Sequence, residues 1–247
     1  MSRGFVLVTG AGRRVGAAIA QHMTQGGWGV GVHYHRSRDG ADQIVAAIRA
    51  AGGVAEAFRA DLSDQTAIDA LANALTARGD WAGLINSASS FTEDDIASFA
   101  FPLAEAQLRL NLIAPVYLAR ALAASKPPRG FVINIADQKV LNPNPDFLSY
   151  TLSKLGLASA TSTLAMALAP NIRVNCIAPG LMLRSGDQTA ENFARVHGQT
   201  LTGAGTTPAD VAEAALFLAN APNITGALLA VDGGQHLIAS ARDVMFS

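Results

Sequence analysis

Short runs that are apolar on both faces alternate with longer Ala-rich stretches of helical character, strand then helix, six times over. The strand candidates are Phe5–Val8, Trp28–His33, Val54–Phe58, Gly83–Asn86, Phe131–Ile135, Arg173–Ile177 and Leu228–Val231; the helices between them begin near Val15, Ala41, Gln65, Pro102, Leu148 and Pro208. A strand with one face in water alternates polar and apolar side chains, whereas a run apolar on both faces needs cover on both. The pattern therefore predicts an α/β fold, a doubly wound parallel sheet between two helical layers. No linker, charge run or repeat divides the chain, so residues 1–247 read as one domain. The least patterned stretch, 181–207, is polar and lies beyond a strand end, where loops cover ligands; it is the expected lid.

Composition narrows the partners. With 18 basic against 19 acidic side chains the chain lacks the electrostatic footprint of a nucleic-acid or anionic-membrane binder. Half the residues are hydrophobic and only 15% are charged, so much of the surface is small, apolar or covered by a partner. Cys176 is the only cysteine, which excludes an internal disulfide, a Cys-rich zinc site and a CxxC pair, and suits a cytoplasmic protein. Phe5–Val8 is too short for a signal-peptide core. The uncharged stretch from Leu155 to Ile172 is broken by Ser159, Thr161, Ser162, Thr163, Pro170 and Asn171, and reads as a buried interface helix instead of a membrane span. His197 and Glu93-Asp94-Asp95 read as solvated surface with no metal-ligand spacing. Cys176 reads as a buried small hydrophobe.

The first strand runs directly into Thr9-Gly10-Ala11-Gly12-Arg13-Arg14-Val15-Gly16 and then into a helix. Glycines there let the backbone approach a pyrophosphate, and the helix N-terminus supplies N–H groups to hold it. Gly10, Arg13, Arg14, Val15 and Gly16 are thus expected to bind a dinucleotide. After the second strand an NAD-binding chain places an acid against the ribose. Here stand His33, Tyr34, His35, Arg36 and Ser37, with no acid before Asp39. Arg36 and Ser37 can donate to a 2′-phosphate that a carboxylate would repel, so these residues point to NADP(H); the other reading is a solvated turn that only caps the strand. Asp61 and Leu62 either meet the adenine or belong to a helix start capped through Ser63 or Asp64.

Tyr150 and Lys154 lie four apart on a predicted helix and so share a face. An ammonium beside a phenol favours the ionised form, which lowers a pKa near 10 toward a useful general acid. With the residues above, the chain resembles the short-chain dehydrogenase/reductase family over essentially its full length. The matching pieces are Thr9–Gly16, Asp61, Asn86 with Ala88, Asn111, Tyr150 with Lys154, Pro179-Gly180 and Asp232-Gly233-Gly234. The resemblance implies a single-domain Rossmann fold with a seven-stranded sheet in the order 3-2-1-4-5-6-7. It implies NADPH/NADP+ held also by Asn86, Ala88, Ser89, Pro179 and Gly180, with Lys154 on the nicotinamide ribose. Tyr150 would protonate the reduced centre, Asn111 would support a proton-relay water, and the chain would form a homotetramer partly through the uncharged helix after Tyr150.

Three departures narrow the match. Arg14 stands where most members carry a glycine, Asp137 stands where most carry serine thirteen residues before the tyrosine, and the usual Asn-Asn-Ala-Gly has become Asn86-Ser87-Ala88-Ser89-Ser90-Phe91. With residues 33–37 they resemble the pteridine reductases and bacterial dihydromonapterin reductases; Ser87 differs from many of those as well. A serine hydroxyl can donate to a ketone oxygen, whereas a carboxylate only accepts. Pterins offer N–H donors and an imine nitrogen that must gain a proton, which Asp137 beside Tyr150 could help deliver. Asp137 could instead cap a turn. Phe91 would stack on a flat pterin or sit in the core. Arg14, Ser89, Phe91, Asp137, Tyr150 and Leu181 are the expected substrate contacts. The expected activity is NADPH-dependent reduction of dihydromonapterin, dihydrobiopterin or dihydrofolate by hydride transfer to a ring imine carbon. A carbonyl reductase, for example of 3-oxoacyl thioesters, is the alternative that Asp137 opposes. A non-catalytic NADPH-binding sensor or scaffold is the alternative that Asn111, Tyr150 and Lys154 oppose.

Overall fold

In the computed structural model, which describes residues 3–184 and 188–246, the apolar runs become strands of one parallel sheet. They are β1 (Phe5–Val8), β2 (Gly29–Tyr34), β3 (Ala55–Arg59), β4 (Trp81–Asn86), β5 (Gly130–Ile135), β6 (Ile172–Pro179) and β7 (Leu228–Val231). Their order is 3-2-1-4-5-6-7. The helices are α1 (Arg14–Gln25), α2 (Arg38–Ala50), α3 (Gln65–Ala77), α4 (Phe101–Leu108), α5 (Ala114–Ala124), α6 (Leu148–Leu168), α7 (Ala190–His197) and α8 (Pro208–Asn220).

Strand periodicity explains why both faces are covered. Along β1, Val6 and Val8 join a core with Ile19, Met23 and Val211, while Phe5 and Leu7 join another with Leu75, Leu118 and Leu122. All residues of β1, β2 and β5 are buried. Each large aliphatic side chain so placed contributes about 1.5–3 kcal/mol, which outweighs any local helix preference of these short runs. The edge strand β3 turns Glu56 and Arg59 outward. The strand order reverses at β1 and β4, and beyond the carboxyl ends of such strands a crevice opens.

Two local features depart from the sequence pattern. A π-turn, Arg109–Ile113, joins α4 to α5 and carries Asn111. The stretch expected to be a patternless lid contains α7, which buries only Val196 and so leaves no apolar period to read. Residues 185–187 of that stretch lie outside the described residues. Among the described residues no helix is long and apolar enough to cross a membrane.

Candidate active site

The turns that follow β1, β2, β3, β4, β5 and β6 line a cavity of about 1210 Å³. Every site residue expected from sequence lines it except Asn86 and Asn111. In its first half, β1 hands over to α1 at Gly10, whose φ is +66° and whose missing Cβ would stand 2.9 Å from Ala88 Cα. Only glycine lets this turn pass so close to the one after β4. Thr9 Oγ1 locks the two turns together, accepting from the backbone N–H groups of Ser87 at 2.9 Å and Ala88 at 3.0 Å. Arg13 gives α1 no side-chain cap, and the start of this helix faces the cavity.

His33 is committed to the scaffold. Its Nδ1 accepts from Gly10 N–H at 3.1 Å, which places the proton on Nε2, 3.2 Å from the Ala60 carbonyl. Burial lowers its pKa to about 4, so the ring is neutral at pH 7. Asp61 accepts from the amide and hydroxyl of Ser63, which hold its carboxyl below the usual range, and Asp64 caps α3. Thus Asp61 lines the cavity while the helix-cap role falls to its neighbour.

The second half is built on the start of α6. Phe147 enters the helix in the left-handed region, and the cap comes from a distant loop: Asp94 accepts from Ser149 N–H at 3.0 Å and from the Ser149 hydroxyl. Asp94 is 3% exposed, which corrects its reading as solvated surface. Its partner is 55 residues away, so no local pattern marks it.

In the first turn of α6, Tyr150 Oη donates to Asp137 Oδ2 at 2.8 Å. Asp137 Oδ1 accepts from Lys139 N–H at 2.9 Å and caps the short turn Gln138–Val140. The two readings of Asp137, turn cap and partner of the phenol, are therefore met by its two oxygens. Burial raises the pKa of Asp137. Burial, followed by the Asp137 carboxylate, raises that of Tyr150 well above 10. This reverses the sequence expectation for the phenol. Lys154 Nζ donates to the Ile135 carbonyl at 2.8 Å and lies 5.6 Å from the ring centre, and burial lowers its own pKa to about 8. A carboxylate in hydrogen-bond contact outweighs a more distant, weakened cation.

Asn111 and Asn86 stand behind the wall. Asn111 Oδ1 accepts from Ser90 N–H at 3.0 Å, and its Nδ2 donates to Ser153 Oγ at 3.0 Å, tying the turn after β4 to α6. Asn86 donates to Asn134, which donates to Thr161, bracing β4 and β5 against α6. Phe91 is a wall residue: it is 38% exposed, stacks on Phe147 at 4.0 Å and meets Tyr150 edge-on at 4.7 Å. Gln138, Gln235, Val244 and Met245 also line the cavity and were not expected from sequence. Gln235 Oε1 accepts from Leu181 N–H at 3.0 Å. No sequence signal marks Val244 and Met245, because a segment that reaches a pocket from far along the chain leaves no periodicity.

The family model described as enoyl-(acyl carrier protein) reductase matches residues 10–236. The chain is a short-chain dehydrogenase/reductase. This oxidoreductase is 33% identical over 247 residues to 3beta-hydroxysteroid dehydrogenase 1 of Eggerthella lenta, covering 94% of this chain and 93% of the relative. It is 29% identical over 238 residues to the dihydromonapterin reductase of Klebsiella pneumoniae, covering 94% and 96%. The crystal structure of FolM alternative dihydrofolate reductase 1 from Brucella canis complexed with NADP has a TM-score of 0.92 and 38% identity, covering 98% of this chain and 97% of that one.

For a member of this family, Arg14 carries a conformational cost. Its φ is +53°, where a Cβ-bearing residue is disfavoured by about 1–2 kcal/mol, partly offset by the smaller unfolded-state entropy of arginine relative to glycine. Arg14→Gly is expected to raise Tm by roughly 2 °C while raising the KM for cofactor several-fold, as a cavity-lining cation is lost. Differential scanning fluorimetry with steady-state kinetics checks both; a lower Tm would remove the strain argument.

Proposed function

We propose that this short-chain reductase transfers hydride from NADPH to the imine carbon of a dihydropterin. The observation that carries the reading is the Tyr150–Asp137 hydrogen bond inside the cavity. NADPH fits the glycine-lined half: Arg13, Arg14, Arg36 and Ser37 line it, and no acid stands at the end of β2 to oppose a 2′-phosphate. When bound there it supplies the hydride. The NADP complex of the Brucella canis relative supports the same choice.

The remaining chemistry belongs to the chain. A ring C=N that gains hydride at carbon must gain a proton at nitrogen. Tyr150 keeps its proton at neutral pH because burial and Asp137 raise its pKa, and burial makes Asp137 a stronger base than an exposed carboxylate. The pair can hold a ring N–H donor and pass a proton to the imine nitrogen. Lys154 orients the ribose side, and Leu181, Met182 and Leu183 provide the beginning of the proposed lid. The dihydromonapterin reductase and dihydrofolate reductase names of two relatives support the substrate class.

The similarity to a hydroxysteroid dehydrogenase favours a second reading, reduction of a carbonyl. NADPH oxidation over dihydromonapterin, dihydrobiopterin, dihydrofolate, ketones and 3-oxoacyl thioesters separates the two. We expect turnover of dihydropterins, with Asp137→Ser lowering kcat/KM for them by about 100-fold. Turnover of carbonyl compounds alone would transfer the chain to the second reading.

A further inference from the structure

Residues 242–246 fold back onto the cavity and are held by a largely buried ion pair. Lys139, two residues past Asp137, is 1% exposed; its Nζ donates to Asp243 Oδ2 at 2.8 Å and to Asn144 Oδ1 at 2.6 Å. Asp243 N–H donates to Asp146 Oδ2 at 2.6 Å, and Arg242 Nε donates to the same carboxylate. Asp243 Oδ1 then accepts from Met245 N–H at 3.0 Å, so its two oxygens grip the cation and the tail together. Beyond it, Phe246 stacks on Phe147 at 5.9 Å, and Phe147 stacks on Phe91. Val244 and Met245 are left lining the cavity in which Phe91, Asp137 and Tyr150 stand.

A buried ion pair adds little net stability compared with apolar side chains of the same volume, but it permits only the arrangement that leaves neither charge alone. Its physical consequence is placement. The turn that presents Lys139 N–H to Asp137 Oδ1 also sends the Lys139 side chain to Asp243. One residue thus sets the position of the carboxylate beside the phenol and of the tail.

We propose that Val244 and Met245 form the outer wall of the substrate subsite and that Lys139 is the positioning residue seating this wall together with Asp137. Methionine, unbranched and polarizable, suits a wall that adjusts to the substituent of a planar substrate. The inference rests on the cavity being the substrate site of a reductase, and not on the substrate being a pterin.

Two variants test it, Met245→Ala and the double variant Lys139→Met with Asp243→Leu. The double variant removes both charges together, so neither is left buried alone. The assay uses the best substrate of the unsubstituted protein from the panel above, with NADPH affinity measured by fluorescence. In both variants we expect KM for that substrate to rise by about fivefold or more, proportionally more than kcat falls, with the Kd for NADPH within about twofold. A merely structural tail would lower Tm without this split. A KM within twofold of the unsubstituted protein in either variant overturns the proposal. If only carbonyl compounds are turned over, the pterin reading fails while the tail is still tested on the carbonyl substrate. A protein that turns over nothing overturns both.

Discussion

Tyr150→Phe is expected to lower kcat by about a thousandfold, within the usual range for loss of a positioned general acid. The substitution keeps the ring and its edge contact with Phe91, and removes only the oxygen that meets Asp137. Two effects follow. On the proposed reaction the proton that the imine nitrogen needs loses its nearest carrier, and Asp137, half-buried in the cavity wall, keeps only the Lys139 N–H as donor. An acceptor stripped of a donor costs about 1–3 kcal/mol, so the variant should also melt a few degrees lower. Single-turnover NADPH oxidation isolates the chemical step; a rate within tenfold of the unsubstituted protein would remove Tyr150 from proton delivery. A pH profile of the unsubstituted protein reads Lys154. Its folded-state pKa of about 8 lies below the ordinary lysine value, so its charge is present below pH 8 and disappears as the pH rises through that point. The kcat/KM of the free protein should fall on that alkaline side.

The second large effect is on stability in acid. His33 has a pKa of about 4 in the folded chain against 6.5 when exposed, so between those values the unfolded chain binds the extra proton. Stability is complete above about pH 6.5, declines as the pH falls toward 4, and is lower by about 3 kcal/mol once both states are protonated. Protonation also removes the acceptor for Gly10 N–H, so the glycine turn loosens where the cofactor is proposed to bind. His33→Gln retains an amide donor and acceptor and does not titrate. Urea unfolding of both proteins at pH 7.5 and 4.5 reports the difference, which cancels the carboxylates they share. Equal pH dependence in the two would refute the assignment.

The parts of this molecule visible in the sequence are those encoded by neighbours along the chain. The two-face apolar runs mark seven strands, Gly10 and Gly16 mark the turn into α1, and Tyr150 with Lys154 mark one face of α6. Even the exchange of serine for Asp137 can be read there, since its chemistry is that of one side chain. Four features are not visible: the cap that Asp94 supplies to α6, the short helix α7, the tail seated by Lys139, and the direction of the Tyr150 pKa.

Each of those four depends on what packs beside a group, not on what precedes it. Asp94 and Ser149 are separated by 55 positions, and Lys139 and Asp243 by 104, so no spacing rule connects them. The phenol follows the same logic: counting a lysine four residues away predicts a lowered pKa, whereas burial and a contacting carboxylate raise it. By itself the sequence determined the layers, the order of elements and most of the side chains that line the cavity, because periodicity and motif spacing are local. Only the tertiary structure decided which charges meet, which lose water and which segment closes the pocket, because desolvation and long-range contact exist only once the chain is packed.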